Sequence, residues 1–270
     1  MYASYYGMCT NPFIKSENIK YKFESNDFRQ TIDRLNYLKE IKGICLITGN
    51  TGFGKTFTIR YFISSLNKDL YKVIYISATS DMTVFDFYKL ISNSLDLDVG
   101  ACYRTDIYIN IQNEIKRLVK KDRVQPIVII DDAHLLRNEI FNCLKVFYDF
   151  DMDSTDYVSL VISGETTLKD KLMKQTYENL KQRIIVNYTF DGFSREEVIE
   201  YIKSRLKIAD SNEEIYTNDA LNALYSCSKS SPRRLNSLVI NSLILGFQNK
   251  LNKIDSSIIM LSKKELDLQN

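Results

Sequence analysis

The residues best spaced for chemistry run Gly49-Asn50-Thr51-Gly52-Phe53-Gly54-Lys55-Thr56, with Phe57 next. Gly49, Gly52 and Gly54 admit backbone angles closed to other residues, so successive N–H groups can turn inward around an anion. Lys55 then follows where it can reach β- and γ-phosphates, and Thr56 can offer its hydroxyl to Mg²⁺. A helix starting here points its positive end at the same charge. This spacing is that of a phosphate loop, and residues 49–57 are expected to hold ATP.

A second constellation lies at Pro126-Ile127-Val128-Ile129-Ile130-Asp131-Asp132. An apolar run delivering two carboxylates reads as a buried parallel strand ending at a site, the Walker B pattern. Asp131 is expected in the Mg²⁺ shell, and Asp132 is expected to orient or deprotonate the attacking water. Adjacent carboxylates after such a strand are costly without a compensating cation; the alternative is a surface turn. His134, the only histidine, has no companions for metal binding and reads as structural or as a support behind the site's ligands, not as a general base. Ser163, closing the apolar run Tyr157 to Ile162, is a candidate sensor of the γ-phosphate or water.

The elements that must carry these groups follow from periodicity. Phe28, Ile32, Leu35 and Leu38 mark a helix over 27–41, and Gly43–Thr48 reads as the strand feeding the loop. Lys72–Ser77 reads as a buried strand, Thr83–Leu95 as a helix, and Ile107, Ile111, Ile115 and Leu118 as one face of another. The charges Lys116, Arg117, Lys120 and Lys121 form either a solvated face or a phosphate-contacting patch. Phe141–Phe150 reads as a helix, residues 151–156 as a polar turn, and 157–164 as a central strand. Alternation of this kind predicts a doubly wound, mainly parallel α/β domain over 1–190.

Beyond Phe190 the strand signals stop. Ser194 with Glu197 fits a capping box, Thr217 a helix cap, Pro232 a first helical position and Asp255 a last helix start, so 191–270 is expected as a small all-helical lid. The aromatic stretch Tyr5–Phe13 reads as an irregular arm packed on the core.

Composition narrows the partners. With 36 Lys+Arg against 34 Asp+Glu the net charge is +2, which excludes a dedicated nucleic-acid coat and makes any DNA binding local. The cysteines Cys9, Cys45, Cys102, Cys143 and Cys227 are odd in number and lack C-x-x-C spacing, and they read as buried thiols of a reducing compartment. No signal segment or 18-residue apolar run is present, so a cytoplasmic protein that spans no membrane is expected.

With these parts located, the chain resembles AAA+ ATPases of the ExeA-like group, which also contains transposon helper ATPases such as the Tn7-type and Mu B regulators. The residues carrying the likeness are Tyr6-Gly7-Met8 with Asn11-Pro12-Phe13, the two Walker motifs, Leu180-Lys181-Gln182-Arg183-Ile184 and Ser231-Pro232-Arg233-Arg234. The resemblance implies a P-loop NTPase fold, ATP with Mg²⁺, an ATP-dependent homo-oligomer, and double-stranded DNA and a transposase or integrase as partners. It implies that Arg183 is an arginine finger reaching a neighbouring subunit and that Arg233 is the lid's sensor-2 arginine. On the residues alone, Arg183 could equally end a surface helix, and Arg233 could pair with a carboxylate or carbonyl.

Asp132 stands where the group usually has Glu, which implies slow turnover. The expected function is a DNA-assembled ATPase that recruits or regulates a transposase. The alternatives are an ExeA-like role in secretion-apparatus assembly and a nucleotide-gated scaffold with negligible turnover. ExeA-type chains carry a membrane segment and a cell-wall-binding extension, whereas this sequence stops soon after the lid, which places the expectation on the first reading.

Overall fold

The computed structural model describes residues 2–14, 22–98, 103–151, 155–211 and 214–267. The chain divides into an α/β unit, residues 30–49 with 55–190, and a helical unit, residues 1–29 with 50–54 and 191–270. In chain order the helices are α1 (Tyr2–Tyr5), α2 (Asn26–Ile41), α3 (Lys55–Ser65), α4 (Val84–Ser94), α5 (Arg104–Arg117), α6 (Asn138–Cys143), α7 (Thr167–Leu172) and α8 (Glu178–Lys181). They continue as α9 (Arg195–Ile208), α10 (Asn218–Ser228), α11 (Pro232–Gln248) and α12 (Ser256–Asp267). The strands are β1 (Gly43–Gly49), β2 (Tyr71–Ser77), β3 (Gln125–Asp131), β4 (Ser159–Gly164) and β5 (Ile184–Phe190).

All five strands pair in parallel, in the order β2-β3-β4-β1-β5. The apolar runs of β1, β3 and β4 occupy the centre, where both faces are covered and continuous hydrophobicity is tolerated. Ile44, Leu46, Ile74, Ile76, Val128, Ile130, Leu160 and Ile162 share one core with apolar residues of α4, α5 and α6. The alternate residues face the other side. There the α2 carbonyls of Leu38 and Lys39 accept hydrogen bonds from Ser159 and Gln125, and α3 buries Thr58, Ile59 and Phe62. Helices on both faces make the sheet doubly wound.

Several expectations need correction. Lys72–Ser77, expected as buried, lies in the edge strand β2 and is half open to solvent. The helix expected over Phe141–Phe150 is split: α6 ends at Cys143, a 3₁₀ turn covers Leu144–Phe147, and the rest is irregular. Its large apolar residues still enter the core, so the burial survives where the period does not. In the basic run at the end of α5, Lys116 pairs with Asp151 at 2.8 Å, and Arg117 with Glu114 and Asp122, each at 2.7 Å. Of the expected turn 151–156, residues 152–154 lie outside the described residues, as does Cys102. Cys45, Cys143 and Cys227 are buried but Cys9 is exposed, and desolvation pushes the Cys45 thiol up to about 12.

The helical unit has its own core. Val198, Ile202, Leu206, Leu224, Leu235, Leu238, Leu243 and Ile259 pack there together with Tyr6, Met8 and Phe13 of the arm. Tyr6 donates from its hydroxyl to the Leu251 carbonyl at 3.1 Å and fills the space a Cβ on Gly246 would need. The arm expected within the α/β domain is thus built into the helical unit instead. Ser194 and Glu197 form the capping box of α9, Thr217 caps α10, and Pro232 opens α11 behind the Ser231 cap. Each such cap satisfies amide donors that a helix start leaves open.

Candidate active site

Parallel pairing brings the carboxyl ends of β1, β3 and β4 to one edge of the sheet. β1 delivers Gly49, β3 delivers Asp131, and β4 delivers Ser163. Ile129 pairs with Val161 and Ile47 with Ser163, so Asp131, Ser163 and Ile47 point to one face, the face that α3 covers. Lys55 and Thr56 open α3 there. Lys55, 7% exposed, donates from Nζ to the Gly49 carbonyl at 2.7 Å.

Asp131 is 1% exposed, and both of its oxygens are engaged. The Thr56 hydroxyl donates to Oδ2 at 2.7 Å, Tyr75 donates to the same oxygen at 3.2 Å, and the Asp132 backbone N–H donates to Oδ1 at 3.1 Å. Burial and the nearby Asp131 and Asp132 carboxylates push the Tyr75 phenol up to about 12. Asp132 itself turns left-handed, with φ 53° and ψ 33°, and is half-buried.

These residues fit Mg²⁺ and a nucleotide phosphate. The Thr56 hydroxyl and the Asp131 carboxylate are hard oxygen donors, and Mg²⁺ is commonly held by one or two carboxylates completed by phosphate and water. Among the described residues no cluster of three or more His, Cys, Asp and Glu could hold an ion by itself. The Ser163 hydroxyl is fully buried with no hydrogen-bond partner among the described residues, the condition of a group whose partner is brought by a ligand or water. When bound, Mg²⁺ would neutralise phosphate charge and polarise the transferred phosphoryl group.

The middle of the loop, residues 50–54, groups with the helical unit. Gly52 has φ +83°, and a Cβ there would lie 2.7 Å from Ser231 Oγ and 2.9 Å from Arg233 Cβ. The Gly52 carbonyl accepts the Arg233 backbone N–H at 3.3 Å. Gly54, with φ +100°, has open space around it, so its glycine is required by backbone angle and not by packing. Asn50 and Thr51 are exposed, Phe53 approaches Gly192, and the ring of Phe57 lies 5.7 Å from the Arg60 guanidinium.

Residues 39–172 match the family model of an AAA domain. The chain carries an AAA domain. Over 98% of its length it is 27% identical to general secretion pathway protein A of Aeromonas hydrophila, and it spans about half of that relative, 48%. By structure it is similar to Cdc6p of Pyrobaculum aerophilum, with a TM-score of 0.74 and 17% identity over 96% of this chain and 71% of that one. It is also similar to the ORC1 protein of Aeropyrum pernix in complex with DNA, with a TM-score of 0.67 and 17% identity over 96% of this chain and 70% of that one. At such identities the likeness is one of fold: a parallel five-stranded sheet with surrounding helices and a helical carboxyl region.

Beyond the matched residues, Arg183 lies at the opposite edge of the sheet from the loop lysine. Its carbonyl accepts the Ile44 N–H at 3.3 Å at the start of β1, and its guanidinium stacks on Tyr148 at 4.7 Å. From Ile44 to Gly49 is five residues at about 3.3 Å each, so the Arg183 side chain does not reach the loop that carries its own Lys55. Together with Tyr37, Ile41, Phe147 and Gln182 it lines a cavity of ≈ 450 Å³. Arg233 is exposed in the first turn of α11, while Arg234 is structural, donating to the Cys227 carbonyl and to Asp267. His134 accepts the Glu165 N–H on Nδ1 at 3.3 Å, tying the turn after β3 to the end of β4.

Sequence reasoning missed Tyr75. Its signal is present in part, since Val73, Tyr75 and Ser77 share one face of β2, but only the pairing of β2 with β3 reveals that this face carries Asp131.

Proposed function

We propose that this protein is a slow, Mg²⁺-dependent ATPase of the AAA+ type that self-assembles with ATP and uses nucleotide state to control a partner. The observation that carries this reading is the convergence of Lys55, Thr56, Asp131 and the buried Ser163 hydroxyl, unpartnered among the described residues, on one face at the carboxyl edge of the sheet. Asp131 and Thr56 hold Mg²⁺, Lys55 and the loop amides hold the phosphates, Asp132 takes the proton of the attacking water, and Ser163 orients that water or the γ-phosphate. Arg233 senses the nucleotide from α11, and Arg183 completes the site of a neighbouring copy.

For the partner, the first reading is a cytoplasmic regulator that assembles on double-stranded DNA and recruits or controls a transposase or integrase, supported by the arm and arginine motifs together. The second is an ExeA-like role in assembling a secretion apparatus, favoured by the identity to general secretion pathway protein A over nearly the whole chain. No helix among the described residues is long and apolar enough to cross a membrane.

The test measures ATP turnover and sedimentation of the purified chain with ATP, with and without duplex DNA. The DNA reading expects turnover or assembly to change severalfold with DNA, and DNA affinity to rise with ATP and fall steeply with salt. ATP turnover indifferent to DNA favours the secretion reading, and absent turnover with intact ATP binding favours a scaffold.

A further inference from the structure

Tyr75 comes from the edge strand β2, outside both Walker motifs, yet its hydroxyl ends on the carboxylate that would hold the metal. Its backbone pairs with Ile129, two residues before Asp131, so the long phenol ring must run forward along the strand to reach Asp131 Oδ2. The other two donors to Asp131 are less independent. Thr56 is itself a candidate metal ligand at the start of α3, and the Asp132 amide belongs to the next residue in the chain. Tyr75 is the anchor contributed by a different strand.

We propose that Tyr75 is a positioning residue, whose hydroxyl fixes the Asp131 carboxylate in the orientation that accepts Mg²⁺ with a bound nucleotide. This rests on the nucleotide-site reading above. A carboxylate with two rotatable bonds loses orientation when one of its hydrogen bonds is removed, and Mg²⁺ is demanding of its geometry. Tyr75 is 43% exposed, so losing the hydroxyl leaves no buried hole and no unpaired polar atom in the core. Phenylalanine keeps the ring against β3 and removes only the hydrogen bond.

The experiment titrates Mg²⁺ into the full chain with a fluorescent ADP analogue, comparing the parent with Tyr75→Phe. Affinity for the analogue in EDTA and the thermal midpoint of each protein are read alongside. Expected are a rise in the Mg²⁺ midpoint on the order of tenfold, unchanged affinity in EDTA and an unchanged thermal midpoint. A Mg²⁺ midpoint within twofold of the parent overturns the inference, as does an equal loss with and without Mg²⁺, which would mark Tyr75 as merely structural. If the parent chain itself shows no Mg²⁺-dependent nucleotide binding, the nucleotide-site reading fails, a result distinct from either outcome for the variant.

Discussion

The hydroxyl of Thr56 donates to Asp131 across 2.7 Å, joining the residue after the loop lysine to the end of a strand 75 positions later. The bond sets Asp131 and Asp132 in different surroundings. Asp131 is buried and triply bonded, whereas Asp132 meets this cluster through its backbone amide and leaves its carboxylate for other use. Asp132→Asn is expected to bind Mg²⁺ and ATP like the parent and to lose about 10²–10⁴-fold in turnover, the range for a removed general base. Asp131→Asn should weaken Mg²⁺-dependent affinity as well. Metal titrations of nucleotide binding, run beside single-turnover hydrolysis, separate the two; equal losses of metal affinity would refute the division.

Lys55→Ala tests the loop directly. Lys55 donates to Gly49 within the unit, so its loss removes that hydrogen bond together with the positive charge proposed to face the phosphates. Nucleotide affinity should fall at least tenfold, or about 1.4 kcal/mol, while the far-ultraviolet spectrum stays that of the parent. ATP binding at parental strength would remove the phosphate-loop assignment.

Arg183 is placed for action in trans or for none on a phosphate. Arg183→Ala should bind ATP normally and lose assembly-dependent hydrolysis by up to the 10³–10⁵-fold seen for arginine fingers, compressed if the parent is slow. Mixing it with Lys55→Ala should restore part of the activity, because an interface can pair the intact loop of the first with the intact arginine of the second. Co-assembly without any recovery would return Arg183 to a stacking role on Tyr148.

Asp151 offers a test by pH. The hydrogen bond from Lys116, that from Tyr157, and the charges of Lys116 and Lys120 hold its carboxyl down at about 2. Because the folded value lies below that of an ordinary aspartate, about 3.9, the contribution is present above that value and is lost as pH falls toward 2. Asp151→Asn should therefore be less stable than the parent at pH 7, and the difference in denaturant midpoint should close between about pH 4 and pH 2. A gap that persists at the acid end would mean that the loop geometry, not the charge, matters.

The parallel α/β sheet and the two Walker segments were legible because they are local. A continuous apolar run ending in Asp131-Asp132 and a loop with Gly52 and Gly54 can be read without knowing what they pair with. The helical caps at Ser194, Thr217 and Pro232 were legible for the same reason: a cap satisfies amides within one turn. Strand order was not, so β2 was expected in the interior, and the role of Tyr75 waited on register. The stretch Phe141–Phe150 misled because it is apolar on too many sides for its period to be read, and tertiary burial there overrides regular helix. Membership of the arm was hidden too, since an aromatic segment indicates that it packs but not on what; the Gly246 site that receives Tyr6 lies 240 residues away.

Left-handed backbone at Asp132 makes the identity of that acid a compromise between reach and local energy. Aspartate and asparagine occupy this region several-fold more readily than most residues. A glutamate would gain a methylene toward the water and give up that ease. The main chain here favours the short acid, so in the ATPase proposed above, lengthening that side chain to gain speed works against the turn that presents it. Speed would have to be sought in the fold of the turn after β3, with the acid chosen second.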